Sequence, residues 1–210
     1  MLKIMLADDH PVVREGLKEI LTRELGRLKI AEARDAREAA ELLTKETWDL
    51  ILLDINMPGR SGLEVLGDAR RLCPETPVLV LSVYPEKEFA IRAFKLGAAG
   101  YLNKQTACDE LIAAVKQVLG GGKYVTASLA EFMAGSLGKN PERAPHEALS
   151  DRELLVLRLI ATGKTLKEIA GELSLSEKTV GTYRMRIADK MHLASNVELT
   201  RYALQHKLVD

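Results

Sequence analysis

The sequence predicts an α/β domain with a doubly wound, five-stranded parallel sheet, joined by a linker to a small all-α domain of four helices. Through about residue 119, apolar strand-like runs alternate with amphipathic helical stretches, which is typical of a parallel sheet with crossover helices. After residue 147 only helix-start signals remain. The length of 210 residues also favours two domains. We therefore predict domains at residues 1–120 and 148–210, with the linker at residues 121–147.

The elements of the first domain follow from apolar runs and helix caps. The predicted strands are residues 2–7, 28–33, 50–54, 77–82 and 100–103, in the spatial order two-one-three-four-five that such sheets commonly adopt. Asp35 and Glu38 form a capping-box-like pair before the second helix. Pro85 lies in the first turn of the fourth helix, and Gly120 ends the fifth.

The linker is predicted to contain one short helix and a mobile connector. Ser128 and Glu131 have the spacing of a capping box, which favours the helix. The connector is the stretch 138–148, where Pro141 and Pro145 disfavour regular structure.

Capping signals define the four helices of the second domain. Three helices follow capping-box pairs, and Ser176 caps the amide of Thr179 in the remaining helix. The pairs are Ser150 with Glu153, Thr165 with Glu168 and Ser195 with Glu198. Residues 173–176 separate the helix at about 166–172 from the helix at 177–191, and this short turn is typical of a helix-turn-helix. The helix at 177–191 is then the recognition helix.

Composition excludes several classes of protein. An apolar content of 47% and a charged content of 29% are ordinary for a globular chain. There is no run of about 18 apolar residues to span a membrane, and Met1-Leu2-Lys3 does not begin a signal peptide, so we expect a cytoplasmic protein with no membrane partner. Cys73 and Cys108 form no CxxC pair and are expected to be reduced packing residues.

Three carboxylates and one ammonium group stand at the predicted carboxyl ends of strands. Asp8 and Asp9 follow the first strand, Asp54 closes the third, and Lys104 follows the fifth. Because the carboxyl ends of parallel strands meet at one edge of the sheet, we expect these side chains to converge. Converging carboxylates need a cation, and Mg²⁺ suits two or three carboxylates together with a backbone carbonyl, here that of Asn56.

Each of these residues has a plainer interpretation when it is taken alone. The carboxylates suit turns and helix starts, and Lys104 suits a solvated surface. Their joint occurrence, with the hydroxyl of Ser82 at the end of the fourth strand, favours a metal and phosphate site instead.

With these residues in place, the first domain resembles the receiver domain of two-component response regulators, which has a flavodoxin-like fold. The matching motifs are Asp8-Asp9-His10-Pro11, Asp54 with Met57-Pro58-Gly59, Leu81-Ser82-Val83-Tyr84-Pro85 and Gly100-Tyr101-Leu102-Asn103-Lys104. The resemblance implies that Asp54 is the phosphoacceptor, a carboxylate nucleophile toward a sensor histidine kinase or a small phosphodonor. It also implies that Lys104 pairs with a phosphoryl oxygen and that Mg²⁺ is held by Asp8, Asp9, Asp54 and the Asn56 carbonyl.

The same resemblance implies a switch pair, Ser82 and Tyr101. The hydroxyl of Ser82 moves toward the new phosphoryl oxygens, and the ring of Tyr101 fills the space that it leaves. The alternative for Tyr101 is a packed strand aromatic. His10 is interpreted as a helix-start residue only. Gln105 stands where many receivers have a proline, which leaves open whether the preceding peptide bond is cis.

The last third of the chain resembles the four-helix domain of LuxR-type regulators, and the whole chain is similar to the NarL/FixJ family of transcription factors. The matching motifs are Leu149-Ser150-Asp151-Arg152-Glu153, Ile160-Ala161-Thr162-Gly163-Lys164, Glu168-Ile169-Ala170, Leu175-Ser176 and Lys178-Thr179-Val180. This resemblance implies binding to double-stranded DNA at promoter sites.

The predicted recognition helix has a buried stripe and an opposite, exposed face. Val180, Ile187 and Met191 recur at helical spacing and form the stripe. The candidate DNA contacts are Lys178, Thr179, Gly181, Thr182, Arg184, Met185, Arg186 and Lys190. The basic residues suit phosphates, whereas Thr182 and Met185 suit base edges or a thymine methyl group. The plainer interpretation is an ordinary solvated face.

The expected partners are promoter DNA, a cognate sensor histidine kinase and a second copy of the chain, with RNA polymerase as a further candidate. By family resemblance, the last helix, at about 196–206, is a candidate dimer helix, and the alternative is that it only caps the domain core. A two-fold dimer places two recognition helices about one DNA turn apart.

The leading hypothesis is a response regulator in which Mg²⁺-dependent phosphorylation of Asp54 controls dimerisation and DNA binding. The alternative is an orphan or antagonist regulator that docks proteins and binds DNA weakly. Gly181 and Met185 favour the alternative, because some family members have base-contacting lysines at these positions. An enzyme, a Mg²⁺-dependent phosphotransferase, ranks behind both, since no substrate loop or acid-base residue adjoins Asp54.

Overall fold

The computed structural model describes residues 1–57, 60–84, 86–105, 107–136 and 144–209. The chain divides into two compact units, Met1–Leu137 and Gly138–Asp210. Some sequence predictions fall outside the described residues: those on Pro58, Gly59, Pro85, the side chain of Cys108 and connector residues 138–143. The domain limits at residues 120 and 147 stay predictions.

The described part of the first unit is a parallel sheet flanked by helices, which confirms the predicted fold class. Its strand order is β2-β1-β3-β4-β5, as expected. The strands are β1 (Leu2–Ala7), β2 (Leu28–Ala33), β3 (Leu50–Asp54), β4 (Val78–Ser82) and β5 (Gly100–Asn103). The helices are α1 (Pro11–Leu25), α2 (Ala36–Lys45), α3 (Gly62–Leu72), α4 (Glu86–Lys95), α5 (Ala107–Leu119) and α6 (Ala127–Ser136).

The central strands β3 and β4 are buried along their whole length. Their apolar residues do not alternate with polar ones, because helices cover both faces of a parallel sheet. β4 begins at Val78, one residue later than predicted. The reason is that Pro77 has no amide hydrogen and contributes only its carbonyl, which accepts a hydrogen bond from the Ile51 amide at 3.0 Å.

In the register of the sheet, the carboxyl ends of neighbouring strands lie at the same edge. The aligned pairs nearest this edge are Ala7 with Leu53, Asp54 with Leu81 and Ser82 with Asn103. The residues that end or follow β1, β3, β4 and β5 therefore lie side by side.

Trp48, the only tryptophan of the chain, is buried just before β3. Its indole Nε1 donates a hydrogen bond to the Leu42 carbonyl at 3.1 Å. Its own carbonyl accepts a hydrogen bond from the Thr76 hydroxyl at 2.8 Å. The indole is thus fixed inside the first unit.

Side-chain caps begin helices of the first unit, with one difference from the sequence prediction. Asp35 accepts a hydrogen bond from the Glu38 amide at 2.7 Å, as expected. The helix predicted from Ser128 exists, but it begins at Ala127, and the hydroxyl of Thr126 accepts the Leu129 amide at 3.3 Å. The choice of Ser128 as the cap was wrong. Leu129, the third residue of the helix, is fully buried in the first unit.

The described residues 144–209 of the second unit form helices only, which confirms the all-α prediction. A short 3-10 helix, Pro145–Ala148, precedes α7 (Asp151–Ala161), α8 (Leu166–Glu172), α9 (Glu177–Met191) and α10 (Asn196–Gln205). Pro145 thus lies in a helical turn, although the sequence placed it in the connector.

Local capping chemistry accounts for the helix starts of the second unit. All three predicted capping boxes are present, and Ser176 accepts the Thr179 amide at 3.1 Å. α10 ends one residue earlier than predicted, with His206 as its C-cap. Within the described ranges, none of the helices combines the length and the apolar character that crossing a membrane requires.

Candidate functional site

Three strand ends bring two aspartates and a lysine together in the first unit. Asp8 follows β1, Asp54 ends β3, and Lys104 follows β5. The Lys104 Nζ lies 2.6 Å from Asp8 Oδ2 and 2.6 Å from Asp54 Oδ2. Both carboxylates are fully buried, and the lysine side chain is 9% exposed. The structure therefore gathers these three predicted site residues in one cluster.

Asp8, Asp9 and Asp54 also form an acidic group with His10. One ligand atom from each of the four residues lies within 4.8 Å of the others. Asp8 Oδ2 and Asp9 Oδ1 are both buried oxygens. Lys104 Nζ lies 2.6 Å from the first, and His10 Nδ1 lies 2.7 Å from the second. Clustered carboxylate oxygens are the ligands that a hard divalent cation prefers. The residues present fit Mg²⁺.

His10 contributes more than the helix start that the sequence indicated. It occupies the N-cap position of α1, but its side chain makes no capping hydrogen bond. Its Nδ1 lies 2.7 Å from Asp9 Oδ1, and its side chain is 57% exposed. The imidazole therefore stands at the solvent side of the acidic group.

Burial and charge together set the protonation of the cluster. Burial raises the pKa of the Asp54 carboxyl, Lys104 opposes this effect, and the charge of Asp8 adds to it. Burial alone would lower the pKa of Lys104, but the charges of Asp54 and Asp8 outweigh it and raise that pKa. The ammonium stays charged, and two close carboxylates share it. A further cation would relieve their remaining repulsion.

Both carboxylate oxygens of Asp54 have partners, and its backbone is tightly enclosed. Oδ1 accepts the Asn56 amide at 2.8 Å, and Oδ2 accepts Lys104 at 2.6 Å. A Cβ on Gly62 would lie 2.1 Å from the Asp54 carbonyl oxygen, so only glycine fits at the start of α3. Sequence reasoning missed Gly62, although its place directly after the helix cap Ser61 was a usable signal.

The two predicted switch residues meet at the backbone of Tyr84. The Ser82 hydroxyl accepts the Tyr84 amide at 3.0 Å. The Tyr101 hydroxyl donates to the Tyr84 carbonyl at 3.1 Å, and its ring is fully buried. One loop after β4 therefore contacts both side chains.

The loop that carries Lys104 is held by two backbone amides. The Lys104 amide donates to the Ser82 carbonyl at 2.7 Å, and the Gln105 amide donates to Asn103 Oδ1 at 2.9 Å. No peptide bond among the described residues is cis, so the bond that precedes Gln105 is trans.

Arg14 is a further residue of this site that sequence reasoning missed. Its side chain is buried in α1, where Nη1 donates to the Asp8 carbonyl at 2.7 Å and Nε donates to Glu32 at 2.9 Å. A usable signal was its position three residues before Leu17, on the buried face of α1. Arg14 thus ties the Asp8 backbone to β2.

The second unit presents the exposed face of α9. Its buried stripe is the predicted one: Val180, Ile187 and Met191. Lys178 and Arg186 are exposed, and Met185 is 61% exposed. The Thr182 hydroxyl donates to the Lys178 carbonyl at 3.0 Å. A Cβ built on Gly181 meets no atom within 4 Å. These five residues lie on the side of α9 away from its buried stripe, and their contact with DNA stays a prediction.

The side chains of the other three predicted contacts pair with other side chains of the second unit. The pairs are Thr179 with Ser176 at 2.8 Å, Arg184 with Asn196 at 2.7 Å and Lys190 with Glu153 at 2.6 Å. Burial alone would raise the pKa of Glu153, but hydrogen bonds from Lys190 and Ser150 outweigh it and lower that pKa. The Glu153 carboxylate therefore stays charged opposite the ammonium.

A chain that carries these two units in this order has the domain composition of a two-component response regulator with a DNA-binding domain. The sequence matches the response regulator receiver domain over residues 4–116 and the luxR family of bacterial regulatory proteins over residues 147–203. The chain belongs to the NarL/FixJ family of response regulators.

Similar proteins match along the whole chain. Response regulator UvrY of Escherichia coli (strain K12) is 34% identical over 211 residues, which cover 100% of this chain and 97% of UvrY. Response regulator GacA of Pseudomonas aeruginosa is also 34% identical over 211 residues, covering 100% of this chain and 99% of GacA.

Solved structures show the same folds. A LuxR-family two-component response regulator from Aurantimonas is 34% identical, with a TM-score of 0.60, over 65% of this chain and 98% of that one. RcsB of Salmonella enterica serovar Typhimurium, bound to promoter P1flhDC in the presence of the phosphomimetic BeF3⁻, is 25% identical. Its TM-score is 0.59, over 96% of this chain and 97% of that one.

Proposed function

We propose that this response regulator is a phosphorylation-gated transcription factor. Mg²⁺-dependent transfer of a phosphoryl group to Asp54 controls its dimerisation and its sequence-specific DNA binding. The observation that carries the proposal is the buried cluster in which Lys104 Nζ lies 2.6 Å from both Asp8 and Asp54. This cluster combines a nucleophile, metal ligands and a cation for a phosphoryl oxygen.

The metal ligands in this proposal are Asp8, Asp9, Asp54 and the backbone carbonyl of Asn56. Bound there, Mg²⁺ supplies positive charge that neutralises phosphoryl oxygens. The assignment is supported by the clustering of Asp8, Asp9 and Asp54, whose ligand atoms lie within 4.8 Å of one another while Asp8 and Asp54 share a single ammonium. Burial of a carboxylate is unfavourable unless a cation or a hydrogen bond compensates for it.

Asp54 is the nucleophile of the transfer. One carboxylate oxygen forms the new O–P bond while the P–N bond of a phosphohistidine breaks, and its electron pair returns to the imidazole. Lys104, which contacts Asp54 Oδ2 at rest, then pairs with a phosphoryl oxygen. The cognate sensor histidine kinase or a small phosphodonor supplies the phosphoryl group.

The phosphoryl group acts on the loop after β4 through Ser82 and Tyr101. The Ser82 hydroxyl leaves the Tyr84 amide to donate to a phosphoryl oxygen. Tyr101, whose hydroxyl contacts the carbonyl of the same Tyr84, follows the movement of the loop. Because one residue contacts both side chains, a change at Ser82 reaches Tyr101 directly.

The exposed face of α9 reads the DNA. Lys178 and Arg186 contact phosphates, and Thr182 and Met185 reach base edges or a thymine methyl group, beside Gly181. The structure of RcsB on a promoter with a phosphomimetic supports DNA as the partner and phosphorylation as the control.

A second copy of the chain binds through α10 in this proposal. Val197 is 78% exposed and Leu204 is 50% exposed, so α10 presents apolar surface. A two-fold dimer places two recognition helices about 34 Å apart, one turn of DNA. RNA polymerase is a further candidate partner at the promoter.

The proposal is tested by comparing wild type with Asp54→Asn. Genome fragments are selected and then titrated in gel shifts, with Mg²⁺ and a small phosphodonor present or absent. We expect the phosphodonor to tighten site-specific binding by wild type and to leave Asp54→Asn unchanged. Equal binding by both proteins contradicts control through Asp54.

Protein docking without DNA control is the second candidate function. It is favoured by Met185, an exposed apolar side chain, and by Gly181 on the same face. If no fragment is selected with or without the phosphodonor, this candidate replaces the first.

A further inference from the structure

Lys190, in the last turn of α9, is anchored inside the second unit. Its Nζ lies 2.6 Å from Glu153 Oε2 on α7. The Glu153 side chain is 3% exposed, whereas that of Lys190 is 42% exposed. The lysine thus joins the recognition helix to a buried charge.

Glu153 is itself fixed at the start of α7. Its Oε2 also accepts the Ser150 amide at 2.7 Å, and its own amide donates to the Ser150 hydroxyl at 3.3 Å. This capping box leaves the carboxylate little freedom. A buried carboxylate that loses its cation is strongly unfavourable, so the pair resists separation.

The pair adds an ionic contact to the buried stripe of Val180, Ile187 and Met191, which packs α9 into the second unit. Rotation of α9 about its own axis would have to break both. Side chains on a helix reach about 5–6 Å from the axis, so a rotation of about 20° moves their ends by about 2 Å. Hydrogen bonds to base edges require donor–acceptor distances of about 2.7–3.2 Å and do not survive that displacement. Contacts to phosphates are less demanding, because an exposed side chain such as that of Arg186, which no buried carboxylate holds, follows the shift.

We propose that Glu153 and Lys190 are positioning residues that set the rotation of the recognition helix, and that Lys190 does not bind a DNA phosphate. This inference rests on the proposed DNA-binding function and deepens it. It moves Lys190 out of the set of phosphate contacts that the sequence predicted. Arg186, one turn earlier and exposed, stays in that set.

The test compares Lys190→Met with Arg186→Met in the full chain, treated with Mg²⁺ and a small phosphodonor. Dissociation constants are measured for a selected duplex and a scrambled duplex over a range of salt, well below the unfolding temperature. We expect Lys190→Met to weaken binding to the selected duplex by about 10-fold, the scale of one lost base contact. Binding to the scrambled duplex changes far less, and the salt dependence stays as in wild type.

Arg186→Met is the matched control for a lost phosphate contact. It should weaken binding to both duplexes alike and reduce the slope of log affinity against log salt by about 0.9. The two variants remove the same charge from the same helix, so a difference between them reports position and not net charge.

Glu153→Gln distinguishes an effect on the position of α9 from the loss of a DNA contact. Glu153 is buried on α7, so it does not contact DNA itself. We expect Glu153→Gln to lower the ratio of selected to scrambled affinity, in the same direction as Lys190→Met. The double variant should lose no more discrimination than Lys190→Met alone, since both changes act through one pair.

Two results overturn the proposal. The first is a slope that falls by about 0.9 in Lys190→Met, with equal losses on both duplexes, which assigns the lysine to a phosphate. The second is an unchanged affinity ratio in folded Lys190→Met and Glu153→Gln, which makes the pair structural only. If wild type itself selects no duplex, the proposed function fails together with the inference, and Arg186→Met then also has no effect.

Discussion

At the scale of single residues, Lys104 joins the two buried carboxylates of the candidate phosphorylation site. Its ammonium lies between Asp8 and Asp54, at 2.6 Å from each. The position of each residue at a strand end was predictable, because apolar runs and their ends are local signals. The bridging of both carboxylates by one ammonium was not, because it depends on strand register and side-chain conformation.

Lys104→Met should tighten Mg²⁺ binding and slow the phosphorylation of Asp54. The ammonium no longer competes with the metal for the carboxylates. The transferred group loses a charged hydrogen bond of about 1.5–3 kcal/mol, which corresponds to about a 10- to 150-fold lower rate. Titration calorimetry measures the first effect and the rate of aspartyl phosphate formation the second. The exposed Lys95→Met is the control. Weaker Mg²⁺ binding in Lys104→Met contradicts competition between ammonium and metal.

Arg14→Met should weaken Mg²⁺ binding and lower the free energy of unfolding. It removes the donor to the Asp8 carbonyl, and leaving a buried acceptor without a partner costs about 1–3 kcal/mol. Urea unfolding and Mg²⁺ titration measure the two effects. The exposed Arg34→Met is the matched control, for which no change is expected. Unaltered Mg²⁺ affinity in Arg14→Met shows that the arginine does not support the metal ligands.

At the scale of elements, hydroxyl and carboxylate caps explain where the helices begin. The capping boxes at Ser150, Thr165 and Ser195 were predictable from sequence, because both members of each pair lie within four residues. Ser128 was not a reliable signal, since Thr126 offers a competing hydroxyl two residues earlier, and it is this hydroxyl that accepts the Leu129 amide.

Ser195→Ala and Thr126→Ala should each lower the free energy of unfolding by about 1 kcal/mol, because each removes an acceptor from a helix start. Ser128→Ala lies inside α6 and should stay within about 0.5 kcal/mol of wild type. Urea unfolding followed by circular dichroism gives all three values. A Ser128→Ala loss as large as that of Thr126→Ala contradicts the assigned cap.

At the scale of the whole molecule, the chain contains two units with different sequence patterns: strand-like runs alternate with helices in the first, and only helices occur in the described part of the second. The fold class of each was predictable, because buried strands and capped helices leave separate patterns in the sequence. The role of α6 was not, since its attachment to the first unit depends on the burial of Leu129 and not on the local cap.

Acid should remove stability from the second unit through its capping-box glutamates. Glu153, Glu168 and Glu198 all have pKa values below the ordinary 4.5. In Glu153, hydrogen bonds from Lys190 and Ser150 outweigh the opposing effect of burial, and in the other two a backbone hydrogen bond is the main cause. Because the folded state binds these protons less readily, their contribution is complete above pH 4.5 and is lost as the pH falls through the folded-state pKa.

Urea unfolding of wild type and Glu198→Gln, from neutral pH to below pH 4.5, measures this contribution. The variant should be less stable at neutral pH, and the difference should shrink in acid, where the carboxyl becomes neutral like the amide. A difference that grows as the pH falls contradicts the predicted sign.

The single tryptophan, Trp48, is an intrinsic fluorescence probe. It is buried in the first unit, so its fluorescence follows the melting of that unit alone. If the helical circular dichroism signal falls while the Trp48 fluorescence stays constant, the second unit is the one that unfolds. The two halves of the chain can be melted together and still be observed separately, without any added dye.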